Sequence, residues 1–258
     1  MARILGFFYG LVAYAVFFAA FVYLIGFLAN FAVPKGIDQG ELLPLPLALA
    51  IDLALIAAFG LQHSVMARPG FKRRIERWVP AAIERSTFVL AASAVLILLL
   101  WQWKPMTQVI WRVDDRAWAN VLWGVYAAGF LLVLLSTFVI DHFDLFGLRQ
   151  VTLNLLRRRY THPAFRVTLF YRFVRHPLYV GFLLAFWGTP EMTLGRLVFA
   201  AGMTAYILIA VGFEERDLET FLGEDYRRYR ERVPMFVPRL DRVHESVRPR
   251  ADRATPSA

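Results

Sequence analysis

From residue 4 to residue 33 the chain carries no charged side chain, although Arg3 stands just before. A helix of that length, at about 1.5 Å per residue, crosses a hydrocarbon layer roughly 30 Å thick with room to tilt. The block is far longer than the roughly 7–15 apolar residues of a cleaved signal peptide, so it reads as a retained span. Four more apolar blocks, residues 42–66, 88–103, 117–140 and 197–213, approach the roughly 17–25 residues a spanning helix needs. A shorter apolar arm, residues 178–187, is broken by Gly188, Thr189 and Pro190 and should pair with the last span as a helical hairpin. The expected fold is therefore all-α: a polytopic transmembrane helical bundle of five long spans plus the short arm. A hydrophobic content of 58%, with 16% aromatic residues, exceeds what a soluble domain of 258 residues can bury.

The charges lie between these blocks and alternate in character. Lys35 with Asp38 and Glu41, and Lys104, Arg112 and Arg116 with Asp114 and Asp115, make near-neutral loops. Arg68, Lys72, Arg73, Arg74, Arg77 and Arg85 make a basic one, as do Arg149, Arg157, Arg158, Arg159, Arg166, Arg172 and Arg175. Lys and Arg near helix ends are retained on the cytoplasmic side, which places both termini in the cytoplasm of a multi-pass cell-membrane protein and requires an even number of crossings. The short arm supplies the sixth. The net charge of +9 comes from these clusters and suits anionic membrane lipid rather than nucleic acid, for which no binding motif is present.

Four regions follow from this pattern. Residues 1–140 form an N-terminal four-helix transmembrane region, and residues 141–176 a long polar segment expected to act as a cytoplasmic lid. Residues 177–243 comprise the hairpin and an amphipathic helix that starts near Glu214 and is interrupted at Gly223. Residues 244–258 offer almost nothing large and apolar to pack and are expected to be a disordered tail.

There is no cysteine, so thiolate nucleophiles and Cys-ligated metals are excluded, and no His cluster suggests a metal. The most informative string is Arg175-His176-Pro177-Leu178-Tyr179-Val180-Gly181. Pro177 suits the first turn of a helix, whose amides, with Arg175 and His176 beside them, can receive an anionic group. A basic interfacial helix start with a tyrosine anchor is the plainer alternative. Glu214-Glu215 follows the apolar run ending at Phe213. Acids at the C-terminal end of a helix oppose the macrodipole, which favours a functional role; they suit ribose hydroxyls or an ammonium group.

The order of these pieces, continued by Gly223-Glu224-Asp225-Tyr226-Arg227-Arg228-Tyr229 and Val233-Pro234, resembles the C-terminal region of membrane methyltransferases of the isoprenylcysteine carboxyl methyltransferase and phospholipid methyltransferase group. The resemblance covers residues 171–238 and implies that S-adenosyl-L-methionine binds there. By that resemblance His176, Tyr179, Glu214 and Glu215 are cofactor contacts, with Arg175, Pro177 and Gly181 in the same motif. Upstream, Ser136-Thr137-Phe138, residues 142–150 (HFDLFGLRQ) and Tyr160-Thr161-His162-Pro163-Ala164-Phe165 are similar to the bacterial branch of the group that methylates methanethiol to dimethyl sulfide.

Methyl transfer from a sulfonium needs in-line positioning and no metal, while a thiol acceptor needs help in losing its proton. His142, His162, Tyr160 and Arg149 are candidates for that help, with Asp144 as an orienting partner; an interfacial histidine at a helix end is the alternative for His142. Asp52, deep in an apolar block, is either functional or structurally paired. Gln62 and His63 line the site or bond within the bundle. Two rivals remain: an isoprenoid or phospholipid as the acceptor, or a transporter or scaffold without catalysis.

Overall fold

The structure is a computed structural model and describes residues 1–161 and 167–238. Five helices are long and apolar enough to cross a membrane: α1 (Ala2–Ala29), α2 (Leu45–Ala67), α4 (Ala81–Gln102), α5 (Arg116–Ile140) and α9 (Leu194–Leu222). Short helices α3 (Pro69–Ile75), α6 (His142–Leu145) and α7 (Leu148–Leu155) connect them, with the short arm α8 (Pro177–Trp187) and the C-terminal α10 (Glu224–Arg232). Local chemistry sets the ends. α1 stops where Asn30 turns left-handed, the Asp115 side chain accepts from the Trp118 amide to start α5, and Thr193 does the same for Arg196 at the start of α9. Pro177 is in the first turn of α8, as its missing N–H predicts.

Every long helix keeps large apolar side chains exposed, among them Val12, Leu53, Ile97, Leu131 and Ile209. A water-soluble bundle would bury such residues; here the hydrocarbon of a bilayer is their solvent. The shared core joins Leu24 and Phe27 of α1, Leu99 of α4, Phe130 of α5, Phe186 of α8 and Phe199 of α9, with Trp103 from just beyond α4. First and last thirds of the chain thus fold around one interior.

α8 forms the expected hairpin with α9, and its other face meets α5 almost backbone to backbone. A Cβ added to Gly129 would lie 2.6 Å from the Gly181 carbonyl oxygen, and one on Gly181 would lie 2.6 Å from that of Gly129. Small residues are what permit such approach between membrane helices. Gly181 therefore has a packing role that its place in the motif did not reveal.

Two short strands were not anticipated. β1 (Val109–Arg112) follows α4, β2 (Glu191–Thr193) follows α8, and they pair antiparallel. Val109, Ile110 and Trp111 are good strand formers, but so short a run is hard to separate from the neighbouring spans. The pairing has a topological consequence: it holds the α8–α9 connection beside the α4–α5 connection. The eleven-residue α8 and the extended stretch after it together return the chain to that end of the bundle.

Two sequence expectations need refinement. The span ending at Phe213 and the start of the amphipathic segment are one unbroken helix, α9, which bends away only at Gly223, where φ is +60°. Residues 142–155, expected within the lid, are docked: Val151 of α7 is fully buried against Gly10 of α1, and Gly147 at φ +87° sits where a Cβ would strike the Ser86 backbone of α4. The tail at residues 244–258 lies outside the described residues.

Candidate functional site

α8 begins at the end of the bundle where α9 emerges, and this brings the two polar motifs together. The Arg175 Nε donates to Glu215 Oε1 at 2.8 Å, and His176 Nε2 lies 3.0 Å from the same oxygen. The Tyr179 hydroxyl donates to Glu214 Oε2 at 2.9 Å. Five of the seven residues expected to hold the cofactor are thus brought together, Arg175, His176 and Tyr179 meeting two adjacent residues of α9, with Tyr179 one turn beyond His176.

The two glutamates are not equivalent. Glu215 is buried, with Arg175 and His176 on one oxygen and the Arg230 guanidinium 3.7 Å from the other. Glu214 is exposed and holds Tyr179 by one oxygen. Helix position also corrects an expectation: with α9 running on to Leu222, the pair lies within a helix, about two turns from its end, so the macrodipole did not select it. What distinguishes Glu215 is its cationic partner set, and what distinguishes Glu214 is its exposure beside Tyr179.

Arg175 does more than face Glu215. Its Nη1 donates to the carbonyls of Arg230 and Val233, and its own amide donates to the Pro234 carbonyl, while the His176 amide donates to Met235. The Tyr229 hydroxyl reaches the Tyr171 carbonyl at 2.8 Å. α10 and the turn after it are thereby strapped over the start of α8. Arg230, not singled out by its sequence context among alternating acids and bases, belongs to this arrangement and also pairs with Glu219.

The segment before α8 forms a second cluster. The Asp144 carboxylate accepts from Arg149 Nη1 and from the Tyr160 hydroxyl, each at 3.2 Å, and the guanidinium stacks over the Tyr160 ring. Burial and the adjacent carboxylate push the pKa of the Tyr160 phenol up to about 12, so it keeps its proton at neutral pH and serves as a hydrogen-bond donor. His142 is buried, stacked on Phe138 with ring centroids 4.2 Å apart. Its Nδ1 meets Thr137 Oγ1 and its Nε2 meets the Tyr14 hydroxyl, both at 2.8 Å. Both ring nitrogens are therefore engaged. Tyr14 is one of three tyrosines in the aromatic-rich α1, and the sequence does not set it apart from the others. His162 lies outside the described residues.

Asp52 resolves toward pairing: its Oδ1 accepts the backbone N–H of Lys104 at 2.9 Å, at the end of the bundle opposite Glu215. A small cavity lined by Tyr126, Phe186, Thr189 and Arg196 is also at that opposite end and touches none of the motif residues.

A bundle of membrane-spanning helices whose motif residues converge on one polar end defines a membrane protein of the methyltransferase class that its C-terminal strings resemble. The chain is 50% identical to methanethiol S-methyltransferase of Mycobacterium tuberculosis, over 92% of this chain and 98% of that one. It is 49% identical to methanethiol S-methyltransferase 2 of Bradyrhizobium diazoefficiens over 93% of this chain and 92% of that one, and 47% identical to the enzyme of the same name in Crocosphaera subtropica over 89% and 90%. The chain belongs to the methanethiol S-methyltransferase family. No family model and no solved structure matches it.

Proposed function

We propose that the protein is an S-adenosyl-L-methionine-dependent membrane enzyme that methylates methanethiol to dimethyl sulfide, with the donor held where α8, α9 and α10 meet. The observation that carries this reading is the convergence of Arg175, His176 and Tyr179 on Glu214 and Glu215 in a chain whose relatives carry that activity in their names. The residue types fit the donor. Its ribose hydroxyls and ammonium group call for a carboxylate, its carboxylate for a guanidinium, and both are present around Glu214, Arg175 and Arg230.

Each side chain has a task in this reading. Glu214, exposed and held by one oxygen, accepts hydrogen bonds from the donor. Glu215 fixes Arg175 and His176, and Arg175 in turn holds the C-terminal turn over the site. Pro177 and Gly181 set the start of α8 and its seat on α5. The bound donor supplies a methyl group on a positively charged sulfur, so positioning rather than a metal provides the acceleration. Asp144, Arg149, Tyr160 and His142 belong to the segment covering this end, where Tyr160 and Arg149 are placed to hold charge and His142 to hold α6 against α1 and α5. The end bearing these groups faces the cytoplasm, the compartment favoured for its Arg-rich loops, with both termini on that side of the cell membrane.

The test is direct. Purified protein with S-adenosyl-L-methionine and methanethiol is expected to release dimethyl sulfide into the headspace. Turnover of a phospholipid or a prenylated thiol in place of methanethiol would reject the acceptor, and no donor binding at all would reject the enzyme.

A further inference from the structure

Among the described residues, the buried side-chain atoms without a hydrogen-bond partner include two on adjacent residues of α2, Gln62 Oε1 and His63 Nδ1. The Gln62 amide nitrogen is used on Met66 Sδ, which leaves its oxygen unpaired. Buried polar atoms are nearly always satisfied, so two exceptions on adjacent residues leave bonding capacity for a ligand at this depth. Their surroundings are apolar and aromatic: the His63 ring has Phe88, Phe59 and Tyr206 with centroids at 5.0, 5.6 and 6.2 Å. Arg85 of α4 is the cation facing the ring.

The register of α2 against α9 locates this pair relative to the donor site. The helices run parallel, with Ile56 against Gly202, Gly60 against Tyr206, and Arg68 bonded to Asp217. His63 is therefore about one helical turn, ~5 Å, deeper in the bundle than Glu214. Tyr206 spans the gap. Ser64 hydrogen-bonds its phenol, which stands within electrostatic reach of both Glu214 and Tyr179.

Resting on the donor site proposed above, we infer that Gln62, His63 and Tyr206 form the acceptor end of the active site and that His63 Nδ1 is the base. With its proton on Nε2, the imidazole offers a lone pair from Nδ1. It takes the proton of the thiol as the sulfur pair forms the new bond to the methyl carbon, and the pair of the broken carbon–sulfur bond stays on the donor sulfur. A small apolar thiol partitions into the membrane interior, so an acceptor end deeper than the donor end suits it. His142, by contrast, has neither nitrogen free for the task.

The experiment uses full-length protein labelled with [15N]histidine and methanethiol added without donor. A shift of the His63 Nδ1 resonance is expected, with the His142 and His176 resonances unmoved. His63→Asn should bind S-adenosylhomocysteine within about two-fold of wild type, yet turn over about 100-fold more slowly, the size of a lost general base. An unmoved His63 resonance, or wild-type turnover in the Asn variant, would overturn the assignment. If the variant does not fold, the wild-type shift decides alone. A wild-type protein that fails to bind S-adenosylhomocysteine would instead defeat the donor site, and this proposal with it.

Discussion

The two ends of the bundle use polar residues in different ways. At the end where β1 and β2 pair, they close the structure. The Asp38 carboxylate accepts from Arg196 Nε at 2.8 Å, Thr193 Oγ1 at 2.6 Å and Asn30 Nδ2 at 2.7 Å. The Lys35 ammonium donates to the carbonyls of Trp101 and Trp103 at the end of α4, and burial beside Lys104 lowers its pKa from the ordinary lysine value. Asp52 accepts a backbone amide there, though its second oxygen has no partner. At the opposite end, bonding capacity is left over: Glu214 is exposed, and Gln62 and His63 bury unpaired atoms. The difference teaches that charge in a membrane bundle marks chemistry only where the fold has not already used it.

The strongest way to break that contrast is at Glu215, a buried carboxylate at the proposed donor end with both oxygens facing cationic groups. Glu215→Ala leaves the buried Arg175 guanidinium and His176 without their shared partner. Removing one member of a buried ion pair costs about 3–5 kcal/mol, and here it also frees the turn after α10. A marked loss of thermal stability in detergent is expected together with loss of S-adenosylhomocysteine binding by calorimetry. Unchanged donor affinity in this variant would show that the pair is structural in the same sense as Asp38 and Arg196.

The opposite end supplies the control. Arg196→Met removes charge-assisted hydrogen bonds to Asp38 and Thr189, each of a kind worth about 1.5–3 kcal/mol. The melting temperature should fall, while donor affinity, measured on the folded fraction, stays at the wild-type value. A parallel loss of donor affinity would mean that the two ends are coupled through α9 and do not act independently.

The sequence made the long spans legible because lipid exposure spares them any amphipathic pattern: uninterrupted apolar length is the whole signal. Alternating loop charge likewise grouped the connections that the structure brings together, such as Arg68 with Asp217 and Lys104 with Glu41. The motif strings found Arg175, His176, Tyr179, Glu214 and Glu215, but not their division of labour, because burial of Glu215 and exposure of Glu214 depend on which face of α9 meets α8. Pairing across long separations was illegible for the same reason. Nothing local to His142 announces Tyr14, which is 128 positions away, and nothing local to Gly181 announces Gly129. Strand pairing of Val109–Arg112 with Glu191–Thr193 was hidden by brevity.

The smallest effect sharpens the comparison most, because it separates binding from folding. Glu214→Gln retains an oxygen for the Tyr179 hydroxyl and keeps the side-chain shape, so the exposed position should leave the melting temperature within about 1 °C, consistent with the small effect of surface substitutions. Only the charge is removed. If Glu214 receives hydroxyl or ammonium groups of the donor, S-adenosylhomocysteine affinity should weaken about ten-fold, or roughly 1.4 kcal/mol. Glu214→Asp, which keeps the charge but withdraws it by one methylene, should fall between wild type and the Gln variant in affinity. Equal affinity in all three proteins would assign donor recognition to Arg175 and Arg230 alone and make Glu214 a tether for Tyr179.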